Sequence, residues 1–445
     1  MPKQLWADRP CGGRRIRRGC RMAWGTFVAN DVNRQRAYAA LAGGFFALAL
    51  VLAAAKSLIL KRQFDLIVSD ARFYYAYLPS VIIDGDVDFA NQMTDHWGGD
   101  FRPDLLEQRT ATGMVQNKYP VGLALTLLPA FLIGHLIALA GFGLIPADGY
   151  SWPYQVSCLV LIQFMVYHTL LLIDRLMYRH FAIQPGPTFV AAILIAIGTP
   201  YAFYAFREPF MVHVVSTFWC TAVVAIAAMT RPDGRWFWVK IAFCWAMAII
   251  CRPTNLHLLP IVLLTAIVSA REFGWVRTLR RWPAAMVVAL VPAAAQLLIW
   301  RAMSGAWVHY SYSIERFYWG EPKLWQTLFS SRHGVFFWCP ALLIAIAELI
   351  GRARERMIGA WLMSAVLLWY ANSAWHNWWF GDSFGARSFL ELTGLFAIGL
   401  AYWFQRLQQR PLTATIFAIV ILAFNYLLMA LYITRTISRD GYLLG

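Results

Sequence analysis

Asp70 is an acid placed where a hydroxyl or an amine could lose a proton. It follows Ser69, a good N-cap, and precedes Ala71-Arg72-Phe73-Tyr74-Tyr75-Ala76-Tyr77-Leu78-Pro79, a run that can be helical up to Pro79. At helical spacing Asp70, Phe73, Tyr74 and Tyr77 share a face. The acid then lies over an aromatic shelf, an arrangement suited to general-base work. The plainer reading is an acid capping a surface helix.

Four further stretches carry chemistry. Lys118, in Asn117-Lys118-Tyr119-Pro120, can hold a phosphate by charge or simply snorkel at an interface. Arg207-Glu208-Pro209 puts charge in a tight turn between two apolar runs, where it is costly and points to function, unless the two residues pair to close the turn. Ser330-Ser331-Arg332-His333-Gly334 precedes one apolar run. The stretch Trp375-His376-Asn377-Trp378-Trp379-Phe380-Gly381-Asp382-Ser383-Phe384-Gly385-Ala386-Arg387 precedes another. His376, Asp382 and Arg387 among tryptophans suit an amphiphilic, phosphate-bearing ligand better than an aromatic belt alone, and His333 stands in the other outer stretch. Arg387 and Glu391 would share a face of an α-helix. Asp84-Gly85-Asp86-Val87-Asp88, with Asp95 beyond it, echoes a calcium loop, but Phe89 stands where glycine belongs, so it reads as an acidic turn. No P-loop, dinucleotide fingerprint, G-x-S-x-G or HExxH is present.

These residues must be positioned by hydrophobic elements. The 445 residues are 60% hydrophobic and only 14% charged, against about 25% charged in a soluble domain. Continuous apolar runs lie at 38–60, 153–173, 188–206, 210–229, 236–251, 254–270, 283–302, 335–350, 357–371, 388–404 and 412–433. They predict an all-α polytopic membrane protein with eleven transmembrane helices, because only helices or closed barrels satisfy the backbone in lipid, and a barrel would alternate. A further apolar stretch, 121–142, closes a long hydrophilic insert running from Lys61 to Lys118.

The net charge of +16 marks cytoplasmic loops rather than nucleic-acid binding. If 121–142 stays at or re-enters the outer surface, most Lys and Arg fall inside. If it crosses, every later loop flips and the majority falls outside. The first arrangement is therefore expected, with the amino terminus cytoplasmic, the carboxyl terminus external and the candidate residues on the external face. The expected organisation is a basic, disordered cytoplasmic tail at 1–37, a transmembrane domain at 38–433 with its first external loop and juxtamembrane segment at 61–152, and an external tail at 434–445. Nothing before Met22 reads as structured, so Met1 and Met22 both stand as starts. The basic run from Arg14 to Arg21 reads as positive-inside tail, with binding to anionic lipid as the alternative. The seven cysteines form no CxxC and read as packing residues. His135, His168 and His257 read as hydrogen-bonded core histidines, and Glu348 as a neutral or snorkelling residue.

This arrangement resembles the GT-C class of membrane glycosyltransferases, in particular the branch holding protein O-mannosyltransferases and lipid A aminoarabinose transferases. Asp70 in Ser-Asp-Ala-Arg-Phe-Tyr-Tyr is similar to the acid early in that class's long first external loop. Asn117-Lys118-Tyr119-Pro120 resembles the end of that loop, Glu208 a second acid at an outer turn, and Arg387 in Gly-Ala-Arg-Ser-Phe a late outer motif. The sequence departs from the class in having Asp-Ala-Arg where adjacent acids are common, and one proline after Lys118 where two are common.

The resemblance implies inverting sugar transfer from a polyprenyl-phosphate-linked donor to a glycan, lipid or protein acceptor at the extracytoplasmic face, in a bacterial inner membrane. It casts Asp70 as general base with Glu208 as second acid, Lys118 and Arg387 as ligands of the donor phosphate, and Tyr74, Tyr77, His333, His376 and Asp382 as substrate-binding residues. A divalent cation joining Asp70 and Glu208 is the one cofactor the pattern admits. The rival from another class is a transporter or flippase of a lipid-linked or anionic solute. That would carry inverted repeats and mid-membrane charges, whereas these charges gather at one surface.

Overall fold

The computed structural model describes residues 30–61, 64–96, 106–312 and 315–438. In chain order the helices are α1 Asp31–Leu60, α2 Ala71–Pro79, α3 Gly122–Ala140, α4 Trp152–Arg175, α5 Pro185–Ile197 and α6 Tyr201–Phe206. There follow α7 Val212–Met229, α8 Phe237–Cys251, α9 Leu259–Phe273, α10 Trp275–Leu279, α11 Trp282–Ser304 and α12 Leu324–Phe329. The last are α13 Val335–Trp338, α14 Ala341–Ile350, α15 Arg356–Ala374, α16 Thr393–Arg406 and α17 Pro411–Ile433. Among the described residues, extended pairing is confined to two isolated bridges, Arg109 with Val115 and Phe317 with Trp375. Eight helices are long and apolar enough to cross a membrane, and three shorter apolar helices accompany them. By helix length and composition the chain is an all-helical polytopic membrane protein.

The first helix begins at Asp31, not at Tyr38. Asn30 caps it, its side chain accepting from Val32 N at 2.9 Å, and Arg34 is already buried, donating from Nε to Asp174 at 3.0 Å. Residues 31–37 therefore belong to the bundle. Residues 1–29 of the expected tail, with its arginine run, Cys11 and Cys20, lie outside the described residues, as does 439–445. Cys158, Cys220, Cys244, Cys251 and Cys339 are free and buried.

Four apolar runs expected to be continuous are broken. Helices α5 and α6 part at Gly198–Pro200, and α13 and α14 at Cys339–Pro340. The 3₁₀ turns Pro253–Leu258 and Arg387–Leu392 precede α9 and α16. Pro200, Pro253 and Pro340 mark three of the breaks, since proline lacks the N–H that would continue a helix and disfavours helical geometry before it. Three of the breaks lie together: Gly385, just before the Arg387 turn, packs on Pro200, and Trp338, just before the Cys339–Pro340 break, lies edge-on to Phe384 with ring centroids 5.6 Å apart.

α1 and α4 pack antiparallel. Arg34 and Asp174 join them at one end, and Leu66 N donates to Gln155 Oε1 at 2.7 Å at the other. The nine-residue α2, about 13 Å long, follows that second end. It is tied to both flanks of α3. Asn117 Nδ2 donates to Phe73 O at 2.7 Å and Tyr77 to Tyr119 O at 2.5 Å, while Tyr75 donates to Gly149 O at 2.7 Å. Gly122 and Gly134 let α3 settle onto backbone. A Cβ at Gly122 would lie 2.3 Å from Cys251 N, and one at Gly134 2.6 Å from Tyr154 Cα.

The acidic turn spends its carboxylates locally. Asp84 accepts from Asn91 and Gln92, Asp86 from Ser80 and Asp88 N, and Asp88 from Ala90 N and Val115 N. Glu348 departs from the reading as neutral or snorkelling. It is buried and takes charged hydrogen bonds from Arg352, at 3.3 Å, and Arg406. His135, His168 and His257 each hydrogen-bond through Nδ1, to Tyr154, Phe164 O and Thr254 O.

Candidate functional site

Asp70 occupies the N-cap position of α2 but makes no side-chain cap bond. Its Oδ2 instead accepts from Arg387 Nη2 at 3.0 Å, across 317 residues of chain. Ser69, expected to cap, has φ +56°. A left-handed serine turns the chain so that the acid leaves the helix end and meets the guanidinium. Arg387 Nη2 also donates to Phe380 O at 3.1 Å, and Phe380 too is left-handed, at φ +61°. Such backbone costs of order 1–3 kcal/mol per residue and persists where the surroundings over-determine it. Arg387 is buried, and its Nη1 has no hydrogen-bond partner among the described residues, whereas the Asp70 side chain keeps 28% of its exposure. The pair thus has an accessible acid and a spare donor.

The shared face predicted for α2 exists, and its object is Tyr119. Phe73 and Tyr74 pack on that ring with centroids at 5.7 and 4.5 Å, and the Tyr77 hydroxyl is spent on its carbonyl. Beyond Tyr119, Lys118 Nζ donates to Glu315 Oε1 at 2.5 Å and stands over the rings of Tyr119 and Tyr312, at 5.6 and 5.4 Å. Burial pushes the phenols of Tyr74, Tyr119 and Tyr312 up. They stay neutral, and their rings line the charges.

Glu208, in the turn between α6 and α7, lies in the field of Arg387, Arg207, Asp382 and Asp70. Burial pushes its carboxyl up to about 7, although Arg387 and Arg207 pull it down. The loop carrying Phe380 is pinned from its other side. His333 Nδ1 lies 2.8 Å from Trp379 O, and Asp382 Oδ1 accepts from Tyr432 at 2.6 Å. Arg332 stacks over Trp379 at 3.5 Å.

Asp70 and Arg387 are therefore paired, with Tyr74 on the next turn of the same helix, Glu208 within their electrostatic field and Lys118 one aromatic layer away. Tyr77 supports that layer, and His333 and Asp382 hold the flanking loop. His376 sits elsewhere, its N–H donating to Arg316 O at 3.0 Å and its ring against Trp375.

Arg387 and Glu391 do not share a face. Their segment is a 3₁₀ turn, with three residues per turn, so a spacing of four separates them. Glu391 instead meets Arg252 at 2.8 Å. Arg252, Tyr119, Tyr312 and Glu315 escaped the sequence reading. Arg252 had a signal, being a charge at the end of an apolar run, and Tyr119 lay beside Lys118. Tyr312 and Glu315 carry none, because only the fold brings their loop over Lys118. Among the described residues no group of three or more His, Cys, Asp or Glu is arranged to hold a metal ion, and the charge of Asp70 is met by Arg387.

No protein-family model and no curated protein matches the chain. Among solved structures it is similar to the oligosaccharyltransferase of Archaeoglobus fulgidus in its apo form, with 14% identity and a TM-score of 0.45. The same values hold for that organism's oligosaccharyltransferase AglB in complex with an inhibitory peptide and a dolichol-phosphate. Each similarity covers 92% of this chain and 56% of the other. The chain spans little more than half the length of the structures it matches.

Proposed function

We propose that the protein is a membrane glycosyltransferase that moves a sugar from a polyprenyl-phosphate-linked donor to an acceptor at the extracytoplasmic face. The observation that carries this reading is the pairing of an accessible Asp70 with a buried Arg387 that has a donor to spare. An acceptor O–H or N–H gives its proton to Asp70 as its heteroatom forms the bond to the anomeric carbon. The bond from that carbon to the phosphate oxygen breaks, and the phosphate leaves with the electron pair. One displacement inverts the anomeric centre. Lys118 and Arg387 meet the charge that grows on the departing phosphate, which is worth most in a site shielded from water. When Arg387 turns to the phosphate, its hold on Asp70 loosens and the carboxylate becomes available as base.

The same reading places α3 on the external side without crossing. A spanning helix would separate its flanks by about 30 Å, yet residues on both flanks hydrogen-bond to α2.

The test is transfer of labelled sugar from a polyprenyl-phosphate donor by the full-length protein in proteoliposomes. Asp70→Asn is expected to lower turnover by ~10²-fold or more, the usual worth of a general base, with insertion and abundance unchanged. Normal turnover by that variant sinks the assignment. Movement of intact donor between leaflets without sugar release favours the transporter instead.

A further inference from the structure

The charged cluster behind the Asp70–Arg387 pair takes no direct part in the proposed reaction. Arg252 leaves the end of α8 and reaches under the 3₁₀ turn Arg387–Leu392. Its Nη1 donates to Glu391 Oε2 at 2.8 Å and to Ser388 O at 3.3 Å, and lies 3.5 Å from His213 Nδ1. The Glu391 carboxylate is fully buried, with its other oxygen 3.6 Å from His213.

A 3₁₀ turn has poor internal hydrogen bonds and needs outside support. Here it comes from three helices. Asn372 of α15 donates to Ser388 O at 3.0 Å, Thr217 of α7 to Leu390 O at 3.0 Å, and Arg252 supplies the charged contact. Ser388 is the residue next to Arg387, so whatever fixes its carbonyl also fixes where Arg387 starts.

We propose that Arg252 is a positioning residue: through Glu391 and the Ser388 carbonyl it sets the turn that aims Arg387 at Asp70. This inference rests on the sugar-transfer reading for its consequence, but the geometry it asserts is testable without it. Removing the guanidinium leaves a buried carboxylate unpaired, and the turn must move to hydrate it. Arg387 moves with the turn.

The experiment compares Arg252→Gln, Glu391→Gln and the double variant in the full-length, detergent-solubilised protein. The first readout is the rate at which a water-soluble carbodiimide modifies Asp70, followed by peptide mass spectrometry. Arg252→Gln is expected to speed modification several-fold, because the guanidinium no longer shields the carboxylate. The double variant, whose two amides can bond to each other with no buried charge left over, is expected to return toward the parent rate. An unchanged rate in Arg252→Gln overturns the proposal whether or not the protein transfers sugar. The second readout is sugar transfer. Arg252→Gln should lower kcat/KM by ~10²-fold, the cost of displacing a site group by about 1 Å, with at least part of the loss restored in the double variant. If the double variant is no better than Arg252→Gln, Arg252 acts on substrate directly and the positioning role fails. If the folded fraction of Arg252→Gln keeps parent kcat and KM while melting earlier, Arg252 is structural only and the proposal fails too. If the parent protein transfers no sugar while carbodiimide behaves as expected, the functional reading fails and the positioning geometry stands.

Discussion

Arg387 faces two demands, and lysine could meet only one of them. A point charge would balance Asp70, but it lacks the fork that reaches Asp70 and Phe380 O and still leaves Nη1 free. Arg387→Lys is expected to raise the donor KM by ~10-fold or more, equivalent to about 1.4 kcal/mol, and steady-state kinetics against donor concentration would show it. If the proposed function holds, Glu208 sets the pH response. With its carboxyl pushed up to about 7 by burial, it is neutral below that pH and leaves Arg387 to Asp70. Above it the ionised group competes with Asp70 for the field of the guanidinium, so under the proposed reaction kcat/KM is expected to climb as pH rises through 7, and Glu208→Gln to abolish that limb. Stability has the opposite sign. Between the ordinary carboxylate range and about 7 the folded protein holds a proton that the unfolded chain has lost, so this group's contribution falls as pH rises. Glu208→Gln should therefore raise the thermal transition at pH 8 and leave it unchanged at pH 4. The reverse pattern would mean that Glu208 is ionised in the folded state at neutral pH.

At the scale of elements, the site is built where helices fail to continue. Pro200, Pro253 and Pro340 were plain in the sequence, yet the apolar runs around them read as unbroken because hydropathy registers side chains and not the missing N–H. The Arg387–Leu392 turn was hidden for a related reason: a spacing of four assumes an α-helix, and only the packing of Asn372, Thr217 and Arg252 around the carbonyls selects 3₁₀. Glu208 stood out as a candidate because charge at the end of an apolar run is expensive, Asp70 because it precedes an aromatic helix face, and Lys118 and Arg387 because basic residues beside interfacial aromatics suit a phosphate. Close backbone contacts give a test of how elements aim these residues. Gly122 lets the start of α3 rest on Cys251, four residues beyond Lys118, and Gly399 lets α16 rest on Ala345 O. Alanine at either site is overpacked, a cost of about 1–3 kcal/mol, so both variants should melt earlier. Gly122→Ala alone should also raise the donor KM by displacing Lys118. Equal KM values in the two variants would show that α3 does not position Lys118.

At the scale of the whole molecule the topology turns on whether 121–142 crosses the membrane: its hydropathy favours crossing, and the charge distribution, which decides the expectation, opposes it. α3 is apolar enough to span by itself, but α2 holds residues on both sides of it, and the chain after it returns to Gly149 beside Phe131. A helix that left for the opposite face could not keep both attachments without a long extended return, and the turn-rich segment Gly141–Tyr150 has none. Single cysteines decide the matter. Leu144, which is 91% exposed, follows α3, and Lys118 precedes it. In intact cells or oriented vesicles, Lys118→Cys and Leu144→Cys should both react with a membrane-impermeant maleimide from the external side. The parent protein serves as the background for its native cysteines, five of which are buried. External labelling at 118 with cytoplasmic labelling at 144 means that α3 crosses, which would reverse every later loop and carry Glu208 and Arg387 away from Asp70. Because Asp70 and Arg387 are 3.0 Å apart, that outcome would contradict the pairing itself, so one labelling result tests the topology and the site together.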